Sequence, residues 1–120
     1  NQECVSTYYV FPIRYFSEMV GIIREDFIKA LNKEGVQFYQ GYTKPLYLQP
    51  VYKKRQLFKY GYPFSAPVNK ECVQNYNDGL CPISEKLHFK EIVINEHIRV
   101  PQSSEDIEDI IESVWKIIQN

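Results

Sequence analysis

The chain has 120 residues and a formal net charge of −1, with 44% hydrophobic and 24% charged residues. That balance is ordinary for one globular domain and excludes a disordered tail or a fibrous repeat. No stretch approaches about eighteen uninterrupted apolar residues, and no basic segment followed by an apolar run opens the chain, so neither a membrane span nor a signal peptide is expected. The chain opens at Asn1 without an initiator methionine, which reads as an excised piece of a longer polypeptide.

Residues 7–15 are aromatic and β-branched, with Tyr9, Phe11, Ile13 and Tyr15 alternating on one side, and predict a strand that Pro12 places at an edge or bulge. Over residues 22–34, Ile23, Phe27, Ala30 and Leu31 follow helical spacing, Glu25 and Asp26 lie in the first turns, and Gly35 supplies a left-handed stop. Val36, Phe38 and Gln40 alternate with Gln37 and Tyr39 as a short second strand leading into Gly41. Prolines at 45, 50, 63 and 67, with Gly61, predict a long loop over residues 45–77 with a turn of helix near 48–54. Part of residues 50–78 is expected to be mobile or to rely on neighbours. Residues 83–89, after Cys81-Pro82, predict a short helix, and Ile92, Val93 and Ile94 a third strand. Ser103 or Ser104 caps a final helix with acids crowding its start, whose apolar face is Ile107, Ile110, Ile111, Val114, Trp115 and Ile118. The order predicts a small sheet covered by helices, α+β or a split α/β unit, in one domain spanning residues 1–120.

Charge is unevenly placed. Residues 35–70 hold no acid and carry +6 from Lys44, Lys53, Lys54, Arg55, Lys59 and Lys70, and six of the ten tyrosines share that window. Cations, hydroxyl donors and flat aromatic faces concentrated together suit an anionic, polyhydroxylated ligand. The strongly acidic C-terminal part argues against nucleic acid as a partner. Lys53-Lys54-Arg55 could contact phosphate, but three adjacent charges are more often a solvated face. Cys4, Cys72 and Cys81 are odd in number and form no C-x-x-C pair, which points to a reducing compartment, the cytoplasm. Long, irregular gaps among Cys72, Cys81, His88 and His97 speak against a zinc site, so no metal ligands are assigned.

The chain contains no glycine-rich phosphate loop, no H-E-x-x-H, no G-x-S-x-G and no nucleophile with an evident base, so no catalytic residue is assigned. What stands out is an ordered series: Arg24-Glu25-Asp26-Phe27-Ile28-Lys29-Ala30-Leu31, then Gly41-Tyr42-Thr43-Lys44-Pro45-Leu46-Tyr47-Leu48-Gln49-Pro50, then Cys81-Pro82-Ile83-Ser84-Glu85-Lys86-Leu87, then Ser104-Glu105-Asp106-Ile107-Glu108-Asp109-Ile110-Ile111. In order and spacing these segments resemble the C-terminal domain of the DegT/DnrJ/StrS family of pyridoxal-phosphate-dependent sugar aminotransferases. The likeness runs over essentially the whole chain. Its G-Y-x-x-P-L-Y loop looks most like members acting on cyclitols or related keto substrates; Gly41 and Tyr47 stand where many nucleotide-sugar members carry histidines.

The resemblance implies an α+β small domain with a mostly antiparallel sheet, as in fold type I aminotransferases. The parent enzyme would move an amino group from glutamate or glutamine to a keto sugar or keto cyclitol. Its pyridoxal phosphate would sit on a large N-terminal domain, so this chain is expected to bind no cofactor and to be inactive alone. The implied partners are that large domain, the keto substrate and, for the parent, a second subunit. Carried over by position, Tyr42, Lys44, Tyr47 and Gln49 occupy the substrate-facing loop, and His97 lies where some members place a histidine near the cleft. The alternative reading is a non-catalytic module that holds an anionic sugar or nucleotide on the same basic, tyrosine-rich loop.

Overall fold

A computed structural model of the chain describes residues 9–71 and 75–119. Thr7, where the first strand was expected to begin, and two of the three cysteines, Cys4 and Cys72, lie outside them. Strand β1 (Phe11–Arg14) and a four-residue helical turn α1 (Ser17–Val20) precede helix α2 (Arg24–Lys33). Ile23 is extended, so α2 begins two residues later than its apolar spacing suggests. It ends as Gly35 predicts: at φ +90°, with Val36 N–H bonded to Leu31 C=O (3.0 Å) and Gly35 N–H to Asn32 C=O (3.3 Å), a Schellman closure.

Strand β2 is only Tyr39–Gln40, shorter than the alternation over residues 36–40. The Asn32 side chain accounts for the difference: its Oδ1 accepts from Phe38 N–H (2.8 Å) and its Nδ2 donates to Phe38 C=O (3.2 Å). Both polar groups of Phe38's own backbone are thus spent on a side chain rather than on a neighbouring strand. Strand β3 (Ile92–Asn95) is central, antiparallel to both neighbours in the order β1-β3-β2. Its register pairs Phe11 with Asn95, Arg14 with Ile92, Tyr39 with Ile94 and Gln40 with Val93. Pro12 therefore lies on an edge strand, as expected.

Helix α5 (Ser104–Gln119) and α2 pack together over the sheet. The core is Tyr15, Phe27, Ile28, Leu31, Phe38 and Val93, with Ile110, Val114, Ile117 and Ile118 of α5 partly buried against it. The Tyr15 and Phe27 rings stack at 4.5 Å. Helix α5 differs from its predicted face in one respect: Ile111 and Trp115 stay 48% and 56% exposed, and Ile117 takes a place in the packing instead. The fold is an α+β small domain with an open antiparallel sheet. No helix of the described residues is long and apolar enough to cross a membrane.

Between β2 and β3 the chain makes 3₁₀ turns at Leu46–Leu48, Lys59–Gly61 and Pro67–Asn69, helix α3 (Pro50–Lys53), and helix α4 (Pro82–Lys86), which runs on into one π-helical turn, Leu87–Glu91. Between Leu48 and α4, the sole buried residue among those described is Ala66. The molecule is accordingly long, 59 × 35 × 29 Å, with a radius of gyration of 19.6 Å against the roughly 14 Å of a compact domain of this size.

Candidate functional site

The loop after β2 is fixed at its first residue. Gly41 adopts φ +53° and donates its N–H to Ile92 C=O (3.1 Å), and a Cβ there would come within 2.8 Å of His88 Nδ1. Only a residue without a side chain lets the loop pass this close to His88. Pro45 then starts the 3₁₀ turn whose Leu48 is buried, which aims Tyr47 at α4.

Tyr47 donates its hydroxyl to Glu85 Oε1, which also accepts Gly79 N–H (2.7 Å) and Cys81 N–H (3.4 Å). Loss of solvation, followed by the bond to the Glu85 carboxylate, pushes the phenol up to about 12. The same bond, with help from the two backbone donors, holds the Glu85 carboxyl below its ordinary 4.5. A second tie, Lys53 Nζ to Asp78 Oδ1 at 2.8 Å, joins α3 to the segment that enters α4.

The result is an open groove of about 330 Å³ whose lining includes Tyr42, Tyr47, Cys81, Ser84, Leu87 and His88. The Tyr42 hydroxyl is 3.0 Å from that of Tyr9, and this bond is the main cause of the phenol's raised pKa. Burial, with the positive charges of Arg24 and Lys44, lowers the His88 pKa from 6.5 and favours the neutral imidazole. The floor is held from behind by Arg24, which is 3% exposed: Nη1 donates to the carbonyls of His88 (3.0 Å) and Ile92 (3.2 Å), and Nη2 to that of Phe89 (2.8 Å). One guanidinium thus satisfies carbonyls left over where the π turn ends and β3 begins.

Of the residues proposed from sequence, Tyr42 and Tyr47 line one groove. Lys44 lies close enough for its charge to act on His88 and Asp78. Gln49 turns inward, donating Nε2 to Lys44 C=O at 3.3 Å, and so braces the loop. His97 is not brought to this groove; it is exposed and lines another, of about 500 Å³, with Gln37, Asn95, Gln102 and Asp106. Sequence reasoning missed Arg24, Glu85 and His88 as parts of the site. Arg24 carried a signal, since a cation in the first turn of a helix opposes the helix dipole and calls for another partner.

An apolar cleft of about 260 Å³ between β1, α1 and α5 is lined by Ile13, Tyr15, Met19, Val20, Val114 and Ile118, with Arg14 at its margin. The described residues contain no cluster of histidine, cysteine and carboxylate fit for a metal. All ten lysines are exposed, and none lines the tyrosine groove. Comparison with protein-family models, with curated proteins and with solved structures finds no match for this chain.

Proposed function

We propose that this chain is the small domain of a pyridoxal-phosphate-dependent aminotransferase acting on a keto sugar or keto cyclitol. The observation that carries the reading is a groove, apolar over most of its lining, whose few polar groups are recognition groups rather than a reactive pair. Tyr42 and Tyr47 present phenols, Ser84 a hydroxyl and His88 a neutral imidazole, beside the Lys44 ammonium. These groups suit sugar hydroxyls and a donor carboxylate. No nucleophile in the groove has a base within hydrogen-bonding reach among the described residues, for the one short contact, Tyr47 to Glu85, holds its phenol protonated. The cofactor, which would store the amino group, belongs on this reading to a large domain outside the chain. The residues here would orient the acceptor.

Expression of the chain together with the polypeptide encoded upstream of it tests the reading. The longer protein should acquire the absorbance of bound pyridoxal phosphate and transaminate, and the 120-residue chain should do neither. An upstream sequence without a cofactor-bearing lysine would sink the proposal. The +6 window favours one other reading, a module that binds an anionic sugar or nucleotide by itself. Saturable shifts of the Tyr42, Tyr47 and His88 resonances of the isolated chain on titration with a sugar phosphate would support that reading instead.

A further inference from the structure

Helix α2 starts without a side-chain cap. Its N-cap position holds Ile23, which has no acceptor to offer. Asp26 and Phe27 N–H reach Ile23 C=O (3.1 and 3.0 Å), but the amides of Arg24 and Glu25 have no partner among the described residues. The positive end of the helix is therefore left open, with free donors. It opens on a hollow of about 390 Å³ whose lining includes Ser17, Ile23, Arg24, Glu25, Lys86 and Lys90 and shares no residue with the tyrosine groove.

A buried donor in the wall of the hollow points the same way. Among the described residues, Arg24 Nε is the one buried side-chain nitrogen or oxygen with no hydrogen-bond partner, on a side chain only 4% exposed. A guanidinium is planar, and its Nε–H lies along the same edge as Nη2. Nη2 donates to Phe89 C=O (2.8 Å) and is 3.4 Å from Glu25 Oε1; Phe89 and Glu25 both line the hollow, so the Nε–H edge faces it too. At 3.4 Å the Glu25 carboxylate is beyond the roughly 2.7–2.9 Å of a strong charge-assisted bond, and it is a weak occupant of this edge. A buried donor without an acceptor costs free energy that a better acceptor recovers.

The charges around the hollow leave room for an anion. Buried Glu91 is held by both Arg14 and Lys86, each at 2.7 Å, and Lys90 is exposed with no carboxylate partner among the described residues. Arg14, Arg24, Lys86 and Lys90 outnumber Glu18, Glu25 and Glu91 by one. We propose that this hollow binds a phosphate group, free or carried by an organic molecule, which displaces the Glu25 carboxylate from Arg24 and accepts from Arg24 Nε–H, from the amides of Arg24 and Glu25, and from Lys90. A tetrahedral oxyanion has acceptor oxygens enough to meet donors converging from a helix end and two side chains. No group lining the tyrosine groove takes part, so the site is independent of the aminotransferase reading.

Nitrogen-15 NMR of the chain, titrated with inorganic phosphate against chloride of equal ionic strength, tests it. Phosphate should give saturable shifts of the Arg24 and Glu25 amides and of Arg24 Nε–H, with Tyr42, Tyr47 and His88 unmoved, and chloride should not. E25Q, which removes the competing carboxylate, should bind phosphate several-fold more tightly, and K90E should bind it about fivefold more weakly. Both changes lie on side chains outside the core, and far-UV circular dichroism checks that the variants are folded. Ribose 5-phosphate separates the two sources: tighter binding than inorganic phosphate assigns the site to an organic phosphate, and equal binding to the phosphate group alone. No saturation by either ligand, an Arg24 Nε–H signal that stays in place, or affinities unchanged in folded E25Q and K90E would overturn the proposal and leave a hollow that holds only water.

Discussion

At Gly41 the space for a side chain is already taken. A Cβ would meet His88 Nδ1 at 2.8 Å and His88 C=O at 3.1 Å, and φ +53° disfavours any L-residue there. Gly41→Ala should therefore cost about 1–3 kcal/mol in urea unfolding. It should also move the His88 imidazole out of its packed position, and its titration by proton NMR should return toward 6.5. An unchanged midpoint with an unchanged His88 titration would show that loop and ring are not in contact. The Tyr47–Glu85 pair gives a second residue-scale expectation. With the folded phenol near 12 against an ordinary 10, the unfolded chain releases its proton first, so this group's contribution to stability is lost as pH rises from about 10 to about 12. Glu85 acts in the opposite direction: its depressed pKa contributes stability above 4.5, which is lost as pH falls through the folded value. In a ¹³C titration of tyrosine ring carbons, Tyr47 should be among the last to ionise, and Glu85→Gln should bring it down without restoring 10 completely, because desolvation is the larger cause.

Among the elements, α5 shows how local sequence sets a boundary. Ser103 N–H (2.7 Å) and Oγ (2.9 Å) both reach Asp106 Oδ2, while Asp106 N–H returns to Ser103 Oγ at 3.3 Å. This is a capping box with aspartate in the glutamate's place, and of the two serines that could cap the helix it selects Ser103. Ser103→Ala should lower stability by about 1 kcal/mol, whereas Ser104→Ala, inside the first turn, should change it by no more than a few tenths. Equal losses from the two would contradict this. Strands β1 and β3, α2 and α5 were legible because period and punctuation agreed there. The short β2 was not, because a side chain six residues back, Asn32, takes the backbone groups of Phe38. Nor was the exposed edge of α5: Ile111 and Trp115 continue the apolar stripe in sequence, but the helix rolls toward α2 on its Ile110 and Ile117 side. Tyr42 and Tyr47 could be placed in the site from their loop. Arg24, Glu85 and His88 join it through contacts spanning 38 to 68 residues, which no local pattern encodes.

For the whole molecule, the decisive contrast is between a packed sheet-and-helix end and an arm that contributes little to any core. Ala66 is the one buried residue described beyond Leu48 and before α4, and ring contacts such as Tyr52 with Tyr76 (5.5 Å) and Phe64 with Tyr76 (6.3 Å) are what gather the arm. Segments with so few buried apolar contacts open at small cost, so proteolysis should begin there. Trypsin at low dose should cut first after Lys53, Lys54, Arg55, Lys59 or Lys70, and later in α2 or α5, which the core holds in helical form. Mass spectrometry of the earliest fragments checks the order, and first cleavage within α2 or α5 would refute it. The same assay tests the parent proposed for this chain: if the arm is covered by the upstream polypeptide of a larger enzyme, protection should be complete in the longer protein even at high dilution, and the isolated chain should be cut at a rate independent of its concentration.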